Sequence, residues 1–381
     1  MNNENYQFDP VYRLLALAAR INPDEQDKKV LSHAISTFSN WEALVTEAEN
    51  NAVAPLLFTS LRDCGAEIPQ HIKRKLYALV QRHRWANQAR AEAMAELSEA
   101  CKKSSIQLIV LKGSYLAHTI YPDPSLRTMS DIDLLAPQDK ALAVQQILRD
   151  LGYTVPDHAG SQYMSEHHHL PGAYIERNGV QIHVEVHHDA LSGDAPASIT
   201  TKNLTSELKD FSIEGANYTA LGHQDQLRHL YHHMSEPASK LKLIWCLDIV
   251  YFASHFEKEI DWPALGKNYP QVINAFRLVD YIIPLPENLR QHIPLNQRPM
   301  PAGTGVSILP LSTILREPVK QRVKDLLNPS SWWLRLYYGV SPDDNLLLTR
   351  WIRHPWQVME WVIRRIRASR QLKLAKPNFP I

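Results

Sequence analysis

One short run, Ser130-Asp131-Ile132-Asp133-Leu134-Leu135, constrains the fold more than any other, because two acids alternate in it with aliphatic residues. A strand turns alternate side chains to opposite faces. Ile132 and Leu134 then enter a core while Asp131 and Asp133 share the other face, their Cβ atoms roughly 6.5–7 Å apart. The fold must contain a sheet with one apolar face and one face that carries the acids. That spacing lets two carboxylates bridge a pair of divalent ions about 3.5–4 Å apart. Hard carboxylate oxygens with no cysteine nearby favour two Mg²⁺ (or Mn²⁺) ions over zinc.

The flanking residues extend the pattern. Residues 106–111, Ile-Gln-Leu-Ile-Val-Leu, form a β-branched and aliphatic run that predicts a buried strand. Lys112, Gly113 and Ser114 follow, ahead of a short helix predicted from Tyr115 to Ile120. Glycine permits close backbone approach, and the free N–H groups of a helix N-terminus suit an anion such as a triphosphate. A third acid, Glu185, falls in Val184-Glu185-Val186-His187 on one of two strands predicted between Gly172 and His188, joined at the hairpin signal Asn178-Gly179. Glu185 can complete a metal site or act as general base toward an acceptor hydroxyl. Arg127, in the loop before the aspartates, is expected to contact phosphate or acceptor.

The histidines admit other readings. His183, Glu185 and His187 alternate along one strand and would also suit a separate transition-metal site of a hydrolase. No HExxH helix or cysteine ligand accompanies them, so the histidines are expected to position substrate or to pack. His167-His168-His169 is expected in an exposed loop, and His232 and His233 as structural residues of a helix.

Around this centre the chain is helical. Residues 8–103 predict helices, with Ser39 or Asn40 as a cap before Trp41 and Pro69 opening a long segment to Lys103. A helix is expected from Pro137 to near Gly152. From about residue 204 the pattern again reads as helical, clearest from Trp245 to Phe256, and proline is frequent from 284 to 318. The expected organisation is a helical region over 1–103, a catalytic core over 104–200, a helical region over 201–283, and a Pro-rich stretch with a basic aromatic tail over 284–381. In that tail Arg350, Arg353, Arg364, Arg365, Arg367, Arg370, Lys373 and Lys376 face one acid, Glu360. Trp356, Met359, Ile363 and Ile366 recur at helical spacing, with Trp351 and Trp361 nearby. The stripe is expected to pack on the domain with its arginines solvated, in preference to a peripheral membrane or nucleic-acid contact.

A net charge of +1 argues against whole-surface attraction to nucleic acid. Cys64, Cys101 and Cys246 lie far apart with no CxxC spacing, which suits a reducing compartment. The start, MNNENYQFDP, lacks the features of a signal peptide, and no stretch approaches the roughly 20 apolar residues of a membrane span. A cytoplasmic protein is expected.

Strand, Gly-Ser, helix, Asp-hydrophobic-Asp and a later acid, in that order, resemble the DNA-polymerase-beta-like nucleotidyltransferase superfamily. Leu111-Lys112-Gly113, Tyr121-Pro122-Asp123-Pro124, Arg127, Ser130 to Leu135 and Glu185-Val186-His187 resemble, more narrowly, a largely uncharacterised bacterial nucleotidyltransferase family. The motifs cover residues 106–188. The resemblance implies an α+β (mixed α/β) fold, a small mixed sheet with helical flanks. It implies a nucleotide-phosphate role for Gly113 and Ser114, to which we add Lys112 and Arg127. It also implies metal binding by Asp131 and Asp133, with Glu185 as third carboxylate. The reaction implied is transfer of a nucleoside monophosphate, AMP in the first instance, from an NTP to a hydroxyl of a small molecule or protein. A non-catalytic nucleotide-binding or regulatory protein on the same fold is the alternative.

Overall fold

In a computed structural model of the chain, residues 10–21, 23–157, 160–191, 198–235, 241–294 and 327–363 are described. Part of the Pro-rich stretch and the tail from Arg364 onward, with Arg365, Ile366, Arg367, Arg370, Lys373 and Lys376, lie outside them.

The first four helices, α1 (Pro10–Ala18), α2 (Glu25–Ser36), α3 (Trp41–Asn50) and α4 (Ala54–Asp63), each have start signals in the sequence. Asp24 accepts from the Asp27 N–H at the head of α2, and Pro55 occupies the first turn of α4. Pro69 precedes α5 (Gln70–Lys103), which runs for 34 residues, roughly 50 Å. Its inner stripe is Ile72, Leu76, Val80, His83, Asn87, Ala91, Met94, Leu97 and Cys101, spaced by three or four residues. The stripe turns polar in mid-helix, and that break fixes the loop ahead of the acids. Asn87 Nδ2 donates to the carbonyls of Pro124 (2.8 Å) and Arg127 (2.9 Å), and Arg90 Nη2 donates to that of Ser130 (3.3 Å).

The sheet has six strands in the order β3-β4-β2-β1-β6-β5. They are β1 (Ile109–Val110), β2 (Asp131–Leu135), β3 (Ala173–Arg177), β4 (Val180–His187), β5 (Lys209–Ile213) and β6 (Ala216–Ala220). β1 pairs antiparallel with β2 and parallel with β6, β2 pairs parallel with β4, and the two outer hairpins are antiparallel. Asn178 (φ 52°) and Gly179 (φ 74°) make the expected left-handed two-residue turn between β3 and β4. β1 is shorter than the predicted run 106–111, because α6 (Lys112–Thr119) begins directly after Leu111. The helix after β2, α7, spans Ala141–Asp150, and the short α8, Ser161–Glu166, follows it.

The expectation of helix from residue 204 is corrected at its start. Residues 209–220 are the β5–β6 hairpin, which extends the sheet beyond β1. Phe211, Ile213, Tyr218 and Ala220 show the alternation, and Glu214-Gly215 makes the turn with both φ positive. Helices resume with α9 (His223–Ser235), α10 (Leu243–His255), α11 (Trp262–Asn268), α12 (Pro270–Val279) and α13 (Glu287–Arg290).

The two sheet faces enter two hydrophobic clusters. Val110, Ile132, Leu134, Val184 and Val186 join the main core with Met94 and Leu97 of α5. On the other face Ile109, Leu111 and Leu135 meet Ala190, Leu191, Ile199 and Leu221 in a smaller cluster that closes one end of the acid-bearing surface.

Past the undescribed stretch, α14 (Ser331–Tyr338) is capped by Ser330 and ends at Gly339 in the left-handed conformation. A π-helical turn, Thr349–Arg353, then leads into helix over 354–363. The tail stripe does not pack as expected. Thr349 and His354 are buried, whereas Trp351, Ile352, Trp356 and Met359 are 64%, 63%, 61% and 46% exposed. The contacts that seat this helix lie on its polar side, where the Tyr338 hydroxyl pairs with His354 Nδ1 (3.0 Å) and Gln357 Nε2 donates to the Tyr337 hydroxyl (2.7 Å). Among the described residues no helix is long and apolar enough to cross a membrane.

Candidate active site

The parallel pairing of β2 with β4 sets Asp131 opposite His183, Asp133 opposite Glu185 and Leu135 opposite His187. Because side chains alternate in step on paired strands, Asp131, Asp133, Glu185 and His187 rise from one face. Asp133 is the buried centre. Its Oδ1 accepts from Lys112 Nζ at 3.1 Å and from His187 Nε2 at 3.0 Å, and His187 Nε2 lies 3.6 Å from Glu185 Oε2. Lys112 reaches Asp133 from the first turn of α6, with its own backbone at φ 44°. That is a left-handed conformation a lysine adopts only under constraint. The Leu111 N–H, hydrogen-bonded to the Asp133 carbonyl at 3.0 Å, fixes where the turn begins.

The charges differ in consequence. Burial alone would raise the Asp133 carboxyl, but Lys112 and His187 outweigh it and hold the group well below the usual carboxylate range. Burial, and then the negative charge of Asp133, push Asp131 upward instead. The His187 hydrogen bond lowers Glu185. Burial would lower both His187 and Lys112, yet the surrounding carboxylates raise them. At neutral pH the centre holds ionised Asp133 and Glu185 beside charged Lys112.

One atom each from Asp133, Glu185 and His187 lie within 4.8 Å of one another, a donor set that can hold a metal ion. Two carboxylates in that set suit a hard divalent ion. Asp131 is outside this group of three, and half-buried at the strand's edge. His183 is also outside it: its ring meets Gln181 Oε1 at 3.0 Å. The trio His183, Glu185 and His187 considered from the sequence is thus replaced in space by Asp133, Glu185 and His187.

Gly113 and Ser114 belong to the first turn of α6 and not to a turn before it. Gly113 lines the cleft. A Cβ there would stand 3.0 Å from Met129 Cγ and 3.2 Å from its Sδ, so any side chain would force Met129 to shift from its place over the turn. Ser114 is buried beneath, its hydroxyl 3.9 Å from Met129 Sδ. Arg127 is buried as well. Its Nε and Nη2 donate to Asp248 of α10, the shortest contact being 2.6 Å, and its Nη1 donates to the Thr128 carbonyl. Burial opposes the guanidinium charge, but Asp248 outweighs it and raises its pKa further.

A cleft of about 360 Å³ opens beside Asp131 and Asp133, a size typical of small-molecule sites. Its wall includes Lys112, Gly113, Arg127 and Ser130, with Arg82, His83, His233 and Trp245 from three helices and Lys242 from the residue just before α10. Arg82 and Lys242 carry no motif that points to the site from the sequence. His233, expected as a structural residue of a helix, lines the cleft, and burial followed by the Lys112 charge keeps it neutral. His168 and His169, expected to be exposed, are half-buried with ring centroids 5.5 and 5.2 Å from that of His187. The main-chain bridge between His169 and His187 brings them there.

No curated protein sequence is similar to the chain. Two solved structures are remotely similar. One is the crystal structure of ANT(2″)-Ia in complex with adenylyl-2″-tobramycin, at 12% identity over 45% of this chain and 99% of that one, with a TM-score of 0.29. The other is the solution structure of the antibiotic-resistance factor ANT(2″)-Ia, at 12% identity over 48% and 98%, with a TM-score of 0.30. The profile of the uncharacterised nucleotidyltransferases matches residues 38–289, more than half of the chain and the whole of the site described above, and the chain belongs to that family.

Proposed function

We propose that this nucleotidyltransferase transfers a nucleoside monophosphate, AMP in the first instance, from an NTP to a hydroxyl of a small molecule or protein, with release of pyrophosphate. One observation carries the reading: Asp133 stands across the parallel β2–β4 pair from Glu185, on the face that Asp131 shares, beside the first turn of α6.

Asp131, Asp133 and Glu185 would hold two Mg²⁺ or Mn²⁺ ions. Bound there, the ions would supply charge neutralisation at the phosphates and would acidify the acceptor hydroxyl. The chain's own groups do the remainder. Lys112 would move from Asp133 onto a phosphate oxygen, and the N–H groups of the α6 turn, approachable because Gly113 has no side chain, would donate to the same anion. Arg82 and Lys242 add positive charge on the cleft wall. Glu185, ionised and about one third exposed, would take the proton of the acceptor hydroxyl. The acceptor oxygen then bonds to the α-phosphorus, and the bond to the bridging oxygen breaks to release pyrophosphate. Arg127, tied to Asp248, would act as a positioning residue for the Thr128–Ser130 segment.

Calorimetric titration of each NTP with Mg²⁺ and with EDTA, on wild type and on the double variant Asp131→Asn/Asp133→Asn, tests this. The expected result is metal-dependent binding lost in the double variant, with pyrophosphate released once a competent acceptor is present. Metal-independent NTP binding that persists in the double variant would favour the non-catalytic nucleotide-binding alternative. The Lys112–Asp133 ion pair, which neutralises the acid without a metal, is the observation that keeps that second reading in view.

A further inference from the structure

The helical segment over 347–363, π-turn included, is inverted relative to an ordinary surface helix. Its polar side is the docked side, held by His354 on Tyr338 and Gln357 on Tyr337, and Arg353 lies 4.7 Å over the Tyr338 ring. Its apolar side faces outward. Leu348, Trp351, Ile352, Trp356, Met359 and Ile363 are 68%, 64%, 63%, 61%, 46% and 40% exposed, and at helical spacing they fall on one broad face. Scattered exposed apolar residues need no explanation, but a contiguous face with two tryptophans marks an interaction surface.

The sequence beyond this face selects its partner. From Arg364 to Lys376 there are six basic residues, Arg364, Arg365, Arg367, Arg370, Lys373 and Lys376, and no acid. A second copy would cover the apolar face but would bring six more basic residues and no added acid to answer them. A polyanion such as RNA would answer the charge but would leave the isoleucines, leucine and methionine in water. A bilayer containing anionic lipid satisfies both. Tryptophan rings and aliphatic side chains enter the boundary between headgroups and acyl chains, while the arginines meet the negative surface.

We propose that the outward face of the helix over 347–363 docks the protein on an anionic membrane surface, as a peripheral and not a spanning contact. This surface is separate from the nucleotidyl-transfer site and does not rest on that reading.

The test uses the full chain and vesicles of phosphatidylcholine, alone or mixed with phosphatidylglycerol. The protein is expected to sediment with the mixed vesicles, to remain in solution with the neutral ones, and to be released by salt. Trp351→Gln and Trp356→Gln should each lower the partition coefficient about tenfold, since each removes a large apolar side chain from the buried face. Their exposed positions predict an unchanged urea midpoint, so loss of vesicle binding cannot be assigned to unfolding. Equal partition of wild type and the double tryptophan variant would overturn the proposal. So would failure to sediment with any vesicle, whether accompanied by a dimer that the double variant dissolves, which assigns the face to a second copy, or by binding to an RNA homopolymer.

Discussion

Removing Asp248 should cost more than any other single truncation near the site. Its carboxylate accepts from Arg127 Nε at 2.9 Å, Arg127 Nη2 at 2.6 Å and the Tyr121 hydroxyl at 2.8 Å, with side-chain exposures of 2% for Asp248 and 8% for Arg127. In Asp248→Ala the guanidinium stays in a buried pocket without its counter-charge, which costs about 3–5 kcal/mol. The Tyr121 hydroxyl also loses its acceptor, adding roughly 1–3 kcal/mol where no water replaces it. A total of about 4–8 kcal/mol is a large share of the 5–15 kcal/mol typical of a folded domain. Arg127→Met/Asp248→Leu removes both charges and fills the space, so it should cost only about 0–2 kcal/mol. Urea unfolding of wild type, Arg127→Met, Asp248→Leu and the double variant gives the coupling as a double-mutant cycle, with the slope of the transition checked for constancy. A coupling of about 3 kcal/mol or more is expected. An Asp248→Ala cost below about 1 kcal/mol, or a double variant as damaged as the sum of the singles, would refute the view that this pair is desolvated and mutually compensating.

Two further outcomes follow from particular contacts. Gly113→Ala places a methyl 3.0 Å from Met129 Cγ, and with Met129 buried the crowding should outweigh the gain in helix propensity, for a net loss of about 1 kcal/mol. Met129→Ala should relieve that crowding, so a double variant no better than the sum of the singles would argue against it. Burial, followed by the charge of a neighbouring arginine, lowers both His83 and His232 to about 4. The unfolded chain therefore binds more protons between pH 4 and 6.5, and stability falls as the pH drops through that window. Each histidine should remove roughly 1 kcal/mol between pH 7 and 5.5, so His83→Gln/His232→Gln should flatten the pH dependence of the urea midpoint. An unchanged slope would contradict the assignment.

Residues that declare themselves by local period or turn chemistry were legible in the sequence. The Asp131–Leu135 strand, the Asn178-Gly179 hairpin, the long α5 and the helix ending in Phe256 all follow from alternation, from φ preference or from helical spacing. The β5–β6 hairpin also alternates, but its strands are five residues long and mix Lys, Asp, Ser, Asn and Thr with the apolar positions, so helix propensity nearby obscured the period. The parts of the site that escaped depend on pairing across space. Lys112 meets Asp133 because α6 begins where β1 ends, and His187 meets it through a strand register 54 residues away. The buried Arg127–Asp248 pair spans 121 residues. The tail shows a different limit. Its apolar stripe was visible, but amphipathic spacing says only that a helix has two faces, and the contacts made by Tyr337 and Tyr338 decide which one is docked.

The two-residue strand β1 has a consequence for how the protein assembles. It alone joins the half-sheet β3-β4-β2, which bears every acid of the site, to the β6-β5 hairpin, which bears none of them. Pairing Ile109 with Leu135 closes a loop of about 26 residues and pairing Ile109 with Thr219 one of about 110, a difference of roughly 1 kcal/mol in chain entropy. The chemistry-bearing half therefore has the kinetic advantage, and the β5–β6 hairpin joins a sheet whose reactive face is already set. Changes in that late-joining hairpin should alter how quickly the chain matures before they alter what it catalyses.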